Sequence, residues 1–286
     1  MRKLLSTCFG ILVLVSVAAA EPILTAESKC IPANTMELGL GVSYGVDTWK
    51  WDGGEDGDSS VSLMAVKIPA KYGITDNLEL NLGVPYRSWN SKIEISGTEY
   101  KDDEAGLGQI SIGGKLALAE SFAAGLDVQM PTGDVDKTLG EGTNIGVSFI
   151  ASGEIDTLKI SGNAGYLLKM KYEDEDKTEW DPGDPLIIRG AVEYPIEKYS
   201  VIGEVQFQSF GKTKAKTDGG TSTDIADSNG STLDFLVGGQ YLKDAMKLKL
   251  GFEFAVGDEN QRAGLAHFYD SWDWKVILAG AYKFEI

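Results

Sequence analysis

Lys159, Lys169, Lys171 and Arg189 recur at even spacing within two neighbouring segments, with acids such as Glu193 and Glu204 close by in the chain. On a β-strand, even spacing puts side chains on one face. Such a face could form a salt-bridged wall or a polar path whose basic sector attracts anions. The one histidine, His267, stands beside Phe268 and Tyr269. Nucleophilic catalysis would need a serine and an organised base together; there is no second histidine and no serine in a recognisable catalytic setting. Trp49 and Trp51 precede an acidic, glycine-rich stretch, Asp52 to Asp58, and Tyr172 leads into Glu173-Asp174-Glu175-Asp176. Carboxylates with glycine can hold a divalent cation, one that lipopolysaccharide could share, but no spacing matches an EF-hand, and a solvated acidic face is the plainer reading. Trp49, Trp51 and His267 are candidates for the mouth of a path.

The elements that must position these residues are legible at the carboxyl end. Trp272, Trp274, Val276, Leu278, Gly280, Tyr282, Phe284 and Ile286 share one parity, while Asp273, Lys275, Lys283 and Glu285 take the other. A period of two over this length predicts a strand. Eleven further segments alternate in the same way, giving twelve predicted strands at 35–45, 62–74, 77–87, 107–118, 121–131, 143–155, 157–172, 185–196, 199–210, 231–242, 245–257 and 271–286. At about 3.3 Å per residue and a tilt of about 40°, each can cross an apolar band of roughly 25 Å.

The apolar parity holds about seventy positions without one Asp, Glu, Lys or Arg, where the chain's 24% charged content would place about seventeen. A cation facing mid-bilayer costs about 2–4 kcal/mol, which explains the exclusion. Connections alternate in length: short at 73–76, 119–120, 156, 197–198 and 243–244, long at 45–61, 88–106, 131–142, 173–184, 211–230 and 258–270. Short periplasmic turns and long extracellular loops are the outer-membrane arrangement, with both termini in the periplasm. Outward aromatics gather at both strand ends, Tyr44, Tyr86, Tyr172, Phe207, Trp272 and Trp274 near the long loops, and Tyr72, Phe122, Tyr194, Tyr199, Tyr241, Tyr282 and Phe284 near the short turns. They predict two interfacial girdles. A soluble β-sandwich also alternates, but its outer faces should be charged somewhere. The fold expected is therefore an all-β, twelve-stranded antiparallel transmembrane barrel over residues 35–286, closed so that no edge is left bare.

Residues 1–20 read as a signal peptide: Arg2 and Lys3, an apolar core from Phe9 to Val17, then Ala18-Ala19-Ala20 before Glu21. That core is too short for a spanning helix, and no other run of 18 apolar residues occurs. Cys8 is wrongly placed for a lipoprotein signal. Residues 21–34 then form a periplasmic N-terminal arm holding Cys30, the lone cysteine of the exported chain, which excludes an intrachain disulfide and a cysteine zinc site. Without residues 1–20 the chain has 24 basic and 43 acidic residues, a net charge of −19. Nucleic acid is a poor partner for such a chain. The mean hydropathy of −0.11 suits a barrel, because only every other strand residue meets lipid.

The run Pro69-Ala70-Lys71-Tyr72-Gly73-Ile74-Thr75-Asp76-Asn77-Leu78-Glu79-Leu80, followed by Gly83-Val84-Pro85-Tyr86, Gly106-Leu107-Gly108, Pro131-Thr132-Gly133-Asp134 and Gly165-Tyr166, resembles the phenol meta-degradation-pathway (MetA-like) outer-membrane proteins. The likeness is clear over the second to seventh strands and rests mainly on pattern in the last third. It implies an outer-membrane transporter of the kind encoded beside aromatic-degradation pathways. Members usually carry an aspartate after Gly-Leu-Gly, where this chain has Gln109. Several of these pieces are architecture in themselves: Gly73 to Asn77 is a tight turn, and Pro85 predicts a bulge or the end of a regular ladder.

Lumen-lining candidates on the inward parity are Arg87, Lys115, Asp127, Lys159, Lys169, Lys171, Arg189, Glu204 and Glu253. The function expected is passive uptake of small aromatic or apolar molecules, with no cofactor. Partners expected are outer-membrane lipid, lipopolysaccharide, a small solute and, during insertion, the barrel-assembly machinery. An adhesive or structural barrel is the alternative, and a lipid-modifying enzyme a further one.

Overall fold

A computed structural model describes residues 24–51, 57–95, 97–136, 139, 141–217, 220–225, 228–256 and 273–286. The alternating segments become strands β1 (Thr35–Trp51), β2 (Gly57–Thr75), β3 (Leu78–Ile95), β4 (Thr98–Leu107), β5 (Ser111–Ala119), β6 (Phe122–Gln129), β7 (Asn144–Ile155) and β8 (Leu158–Lys169). They continue as β9 (Tyr172–Glu173), β10 (Glu179–Asp181), β11 (Pro185–Ile196), β12 (Tyr199–Phe210), β13 (Lys214–Lys216), β14 (Thr223–Asp224), β15 (Gly230–Lys243), β16 (Met246–Val256) and β17 (Trp274–Glu285). Twelve of these make the wall, and β1 pairs antiparallel with both β2 and β17, which closes it. Closure gives every wall strand two partners, which a bilayer demands because lipid offers the backbone none.

The burial pattern is inverted relative to a water-soluble sheet. Leu40, Leu126, Val237, Leu250 and Leu278 are each more than half exposed on the outer face, while Glu79, Glu193, Lys249, Glu253 and Lys275 are buried inside. Aromatic pairs mark both rims: Tyr44 and Trp274 at 5.7 Å between centroids on the extracellular side, Tyr199 and Tyr241 at 5.0 Å on the periplasmic side. Three periplasmic turns begin with a residue of left-handed φ, Asp156 (55°), Glu197 (54°) and Asp244 (54°), as tight hairpins of twisted strands require.

Several expectations change in detail, among them the loop at 45–61, most of which is strand because β1 runs on to Trp51 and β2 begins at Gly57. The predicted loop at 88–106 is largely an extracellular hairpin, because β3 runs on to Ile95 and folds back as β4. Its outward parity there is Asn90, Lys92 and Glu94, so the ladder simply continues beyond the lipid, where charges are solvated. Pro85 does end a ladder, but on one side only. The β2 register passes straight through Lys67↔Pro85, whereas on the other side β3 switches partner from β5, ending at Gly83↔Ser111, to β4, starting at Tyr86↔Leu107.

Candidate functional site

The described part of the arm, residues 24–34, does not hang below the barrel but folds up into the lumen. The reversal starts where Asn34 adopts φ 56° and donates its N–H to Gly73 O at 2.8 Å. Any Cβ on Gly73 would overlap Pro32 O, so this glycine lets the arm pass over the wall. From there Ile31 N donates to Glu79 Oε2 (2.9 Å), Ser28 N to Ser152 Oγ (3.0 Å) and Ala26 N to Asn163 Oδ1 (2.6 Å). Asn163 Nδ2 returns a bond to Ala26 O (3.0 Å), mimicking a β-pair. The arm ends on Glu204, which accepts from Leu24 N (3.0 Å), Thr25 N (2.8 Å) and Thr25 Oγ1 (2.7 Å), and Arg189 donates to Leu24 O at 3.2 Å. The arm thus straps the lumen from β1 across to β12.

Of the lumen candidates, Lys115 bridges wall and arm: its ammonium lies 3.2 Å from Glu79 and donates to Lys29 O (2.7 Å) and Glu27 O (3.1 Å). Glu253 pairs with Lys275 at 2.9 Å, and Arg87 is buried. The basic sector does not form one patch. Lys159 sits at the periplasmic mouth, 3.6 Å from Glu193. Lys169 is at the extracellular end, fully buried against Glu141 at 3.3 Å. Lys171 leaves the lumen altogether: it lies beyond the last residue of β8 and pairs with Glu179 (3.3 Å) and Asp181 (3.4 Å), which raise its pKa. Trp49 and Trp51 belong to β1 by backbone pairing, their side chains lying outside the described residues, as His267 does.

The extracellular mouth is covered by loops that fold inward. Strands β9, β10, β13 and β14 form a small second sheet, and Trp180 is buried with its Nε1 donating to Asp174 Oδ2 at 2.9 Å. Leu139 and Glu141 from the preceding loop are buried. Burial together with Glu141, Asp174 and Asp136 pushes the Tyr172 hydroxyl pKa up, so it stays protonated. Gln109 donates to Gly142 O at 2.8 Å, a bond an aspartate could not make because it has no N–H. Among the described residues no cluster of His, Cys, Asp or Glu could hold a metal; Asp174 is taken by Thr178 N and Trp180.

Between arm and cover lies a cavity of about 80 Å³ lined by Asn81, Asp127, Ile150, Leu167, Arg189 and the arm's Ala26, among others. Below the arm a wider space of about 220 Å³ opens at the periplasmic end, with Lys29, Lys71, Lys159, Lys247 and Lys283 against Glu27, Glu79 and Glu193. Several participants escaped the sequence reading. Lys67 shares the inward parity of β2 and was detectable by that signal alone. Asn163 and the arm were not, because only the closed wall shows what they touch.

This wall, with its inverted polarity and its short and long ends, defines an outer-membrane β-barrel. The family profile described as "Putative MetA-pathway of phenol degradation" matches residues 25–270, and the chain belongs to that family. The fold is similar to that of the COG4313 outer membrane channel from Pseudomonas putida F1, with 12% identity, 90% of this chain and 98% of that one covered, and a TM-score of 0.63. It is also similar to the TodX monoaromatic hydrocarbon channel (deltaS2 mutant), with 10% identity, 90% and 91% coverage and a TM-score of 0.51. The transport unit of the autotransporter AIDA-I from Escherichia coli shares 10% identity, 88% and 90% coverage and a TM-score of 0.50. No curated protein matches the sequence.

Proposed function

We propose that the protein is a channel of the Gram-negative outer membrane for passive uptake of small, largely apolar molecules, with the N-terminal arm as its inner constriction. The observation that carries this is two spaces inside a closed wall, one on each side of the arm, so that arm residues and not the wall line the division between them. Segments held by side-chain bonds can move without breaking the barrel. Apolar side chains on the inward parity favour an apolar solute: Leu63 stands opposite Trp89, with Val61 and Ala65 on either side along β2, all buried. TodX, a monoaromatic hydrocarbon channel by its description, supports the same class.

On this reading residues 1–20 are removed on export, which N-terminal sequencing would show as a mature chain starting at Glu21. The machinery and lipid expected are those of any outer-membrane barrel: the assembly machinery, lipopolysaccharide and inner-leaflet lipid. Catalysis has no support from the described residues, since Lys115, Glu204 and Glu253 are all engaged in holding structure. The test is solute flux: refolded mature protein in liposomes should admit small neutral solutes, with a size cut-off that rises when residues 21–33 are deleted. Empty-liposome rates from both forms would refute it.

A further inference from the structure

We infer that the space below the arm binds a small dianion from the periplasm, of the size of hydrogen phosphate or a short dicarboxylate, and that this anion, held between arm and wall, keeps the arm docked. The space of about 220 Å³ has room for roughly fifteen to twenty water-sized positions, enough for such an anion with part of its hydration shell. It lies inside the wall, so the anion is a free solute and not a lipid headgroup. The inference goes beyond the channel reading and does not depend on what the barrel carries.

The periplasmic strand ends build a ring of charge around this space. Lys71, Glu37 and Lys283 form one row across β2, β1 and β17. Lys247 stands on β16 opposite Ala281, two residues before Lys283 on the same face, and Lys159 on β8 stands opposite Glu193 on β11. The carboxylates of the ring are spent at depth. Glu193 is 2% exposed and accepts from Ser200 Oγ and Gln240 Nε2, both at 2.6 Å, besides Lys159 at 3.6 Å. Glu79 is equally buried and holds Ile31 N and Lys115. Glu37 is buried between its two lysines, 3.9 Å from Lys71. The remaining lysines are more open: Lys29, on the arm, is exposed, and Lys159, Lys247 and Lys283 are half-buried. Of the carboxylates lining the space only the arm's Glu27 is not buried, while Glu154, opposite Lys159 in the register, stands exposed at the rim.

Four ammonium groups around one small space, brought from the arm and from three strands far apart in the chain, make its potential positive. A dianion is drawn in about twice as strongly as a monoanion at the same distance, and lysine meets it as a compact point charge with three donors. Because Lys29 belongs to the arm and Lys159, Lys247 and Lys283 to the wall, the full set exists only while the arm is docked. The arm backbone is already fixed at this point, with Lys115 donating to Lys29 O at 2.7 Å and Glu27 O at 3.1 Å, so the Lys29 side chain starts from a defined place. A ligand that binds only the docked form raises the ratio of docked to released arm by 1 + [L]/Kd, about a hundredfold at a hundred times Kd.

Cys30 lines the same space and is the only cysteine after residue 20, so its reactivity reports on the site. The experiment is the rate of Cys30 alkylation by neutral iodoacetamide on refolded mature protein in non-ionic detergent. Saturating hydrogen phosphate or succinate should slow it at least tenfold, and chloride or acetate at the same ionic strength should not. Each variant is compared with its own rate without dianion: Lys247→Gln combined with Lys283→Gln should lose the protection, while Lys243→Gln, exposed at the end of β15, should keep it. Gel heat-modifiability checks folding, and Lys29→Gln, a change on the arm alone, stands in if the wall variant does not fold. Amide exchange at Ile31 should slow with the same dianions. Equal effects of dianion and monoanion, or protection that survives loss of the lysines, overturn the site, and protected Cys30 with unchanged exchange at Ile31 overturns its hold on the arm.

Discussion

Replacing Glu204 with alanine should release the tip of the arm. The carboxylate accepts three donors from Leu24 and Thr25, at 2.7 to 3.0 Å. Hydrogen bonds to a charged group contribute about 1.5–3 kcal/mol each, but lumen water can replace part of every one, so about 3 kcal/mol for the set is the working figure. At about 1.4 kcal/mol per decade, the ratio of docked to released tip falls about a hundredfold. Glu204→Gln keeps an acceptor and should fall by about tenfold on the same scale. Amide exchange at Leu24 and Thr25 should accelerate in that order of variants, with exchange in the wall strands unchanged, and open events in planar bilayers should become more frequent. Unchanged exchange at both amides in Glu204→Ala would refute the assignment of Glu204 as the anchor. Acceleration without any change in current would show that the tip is held there but does not limit passage.

Leu250→Arg places a cation on the lipid face and should lower the urea midpoint by the equivalent of about 2–4 kcal/mol if the position lies near mid-bilayer. Glu253→Gln should destabilise the barrel by roughly 3 kcal/mol by removing the carboxylate charge that lies 2.9 Å from the buried Lys275 ammonium, while Glu253→Leu with Lys275→Met should recover most of that loss in the same denaturation assay. In the extracellular hairpin, Lys101 and Lys92 hold the Glu99 carboxyl at about 2, below its ordinary 4.5. The contribution of this pairing is complete above pH 4.5 and lost as pH falls through about 2, so an NMR titration should find the Glu99 midpoint near 2 and the wall-strand signals unmoved by it. Gln109→Asp should loosen the extracellular cover by about 1–3 kcal/mol, seen as faster amide exchange around 139–145, because Gly142 O loses its donor.

The wall was legible in the sequence because lipid imposes one rule on every outward position. Leu38, Leu40 and Val42 on β1 obey it as strictly as Leu248, Leu250 and Phe252 on β16, and parity alone then places Asp127 or Glu253 inside. Which inward residues meet is another matter. Lys169 and Arg189 share a parity and belong to adjacent strands, yet one closes on Glu141 from a loop and the other on Gln206 and the arm. Parity also fails past the membrane, where Lys171 keeps the lumen phase but has left the wall. Residues 24–34 carry no periodic signal at all; their conformation is set by scattered partners such as Glu79, Ser152, Asn163 and Glu204, which no local pattern joins.

The two kinds of structure also differ in what their release exposes. A wall strand that lost its neighbour would present N–H and C=O groups to lipid, where nothing can pair with them. The arm is bound almost wholly by side chains on the lumen face, through its own backbone groups at Leu24, Ala26, Ser28 and Ile31. When it leaves, both sets of groups meet water, so each lost bond is exchanged for another and the net change per bond is about 0.5–1.5 kcal/mol. A path through this barrel is therefore opened at far lower cost by moving the arm than by deforming the wall. Gly73 makes that movement local, because the crossing over the rim stays fixed by Asn34 and by the Ile286 N–H bond to Asn34 O at 2.9 Å while the segment beyond it swings. Cross-linking the arm tip to the wall with a cysteine pair at Leu24 and Gln206 in a Cys30→Ser background should hold the channel in its narrow state, with current restored by reductant. A cross-linked protein that conducts like the free one would place the limiting barrier at the extracellular cover instead.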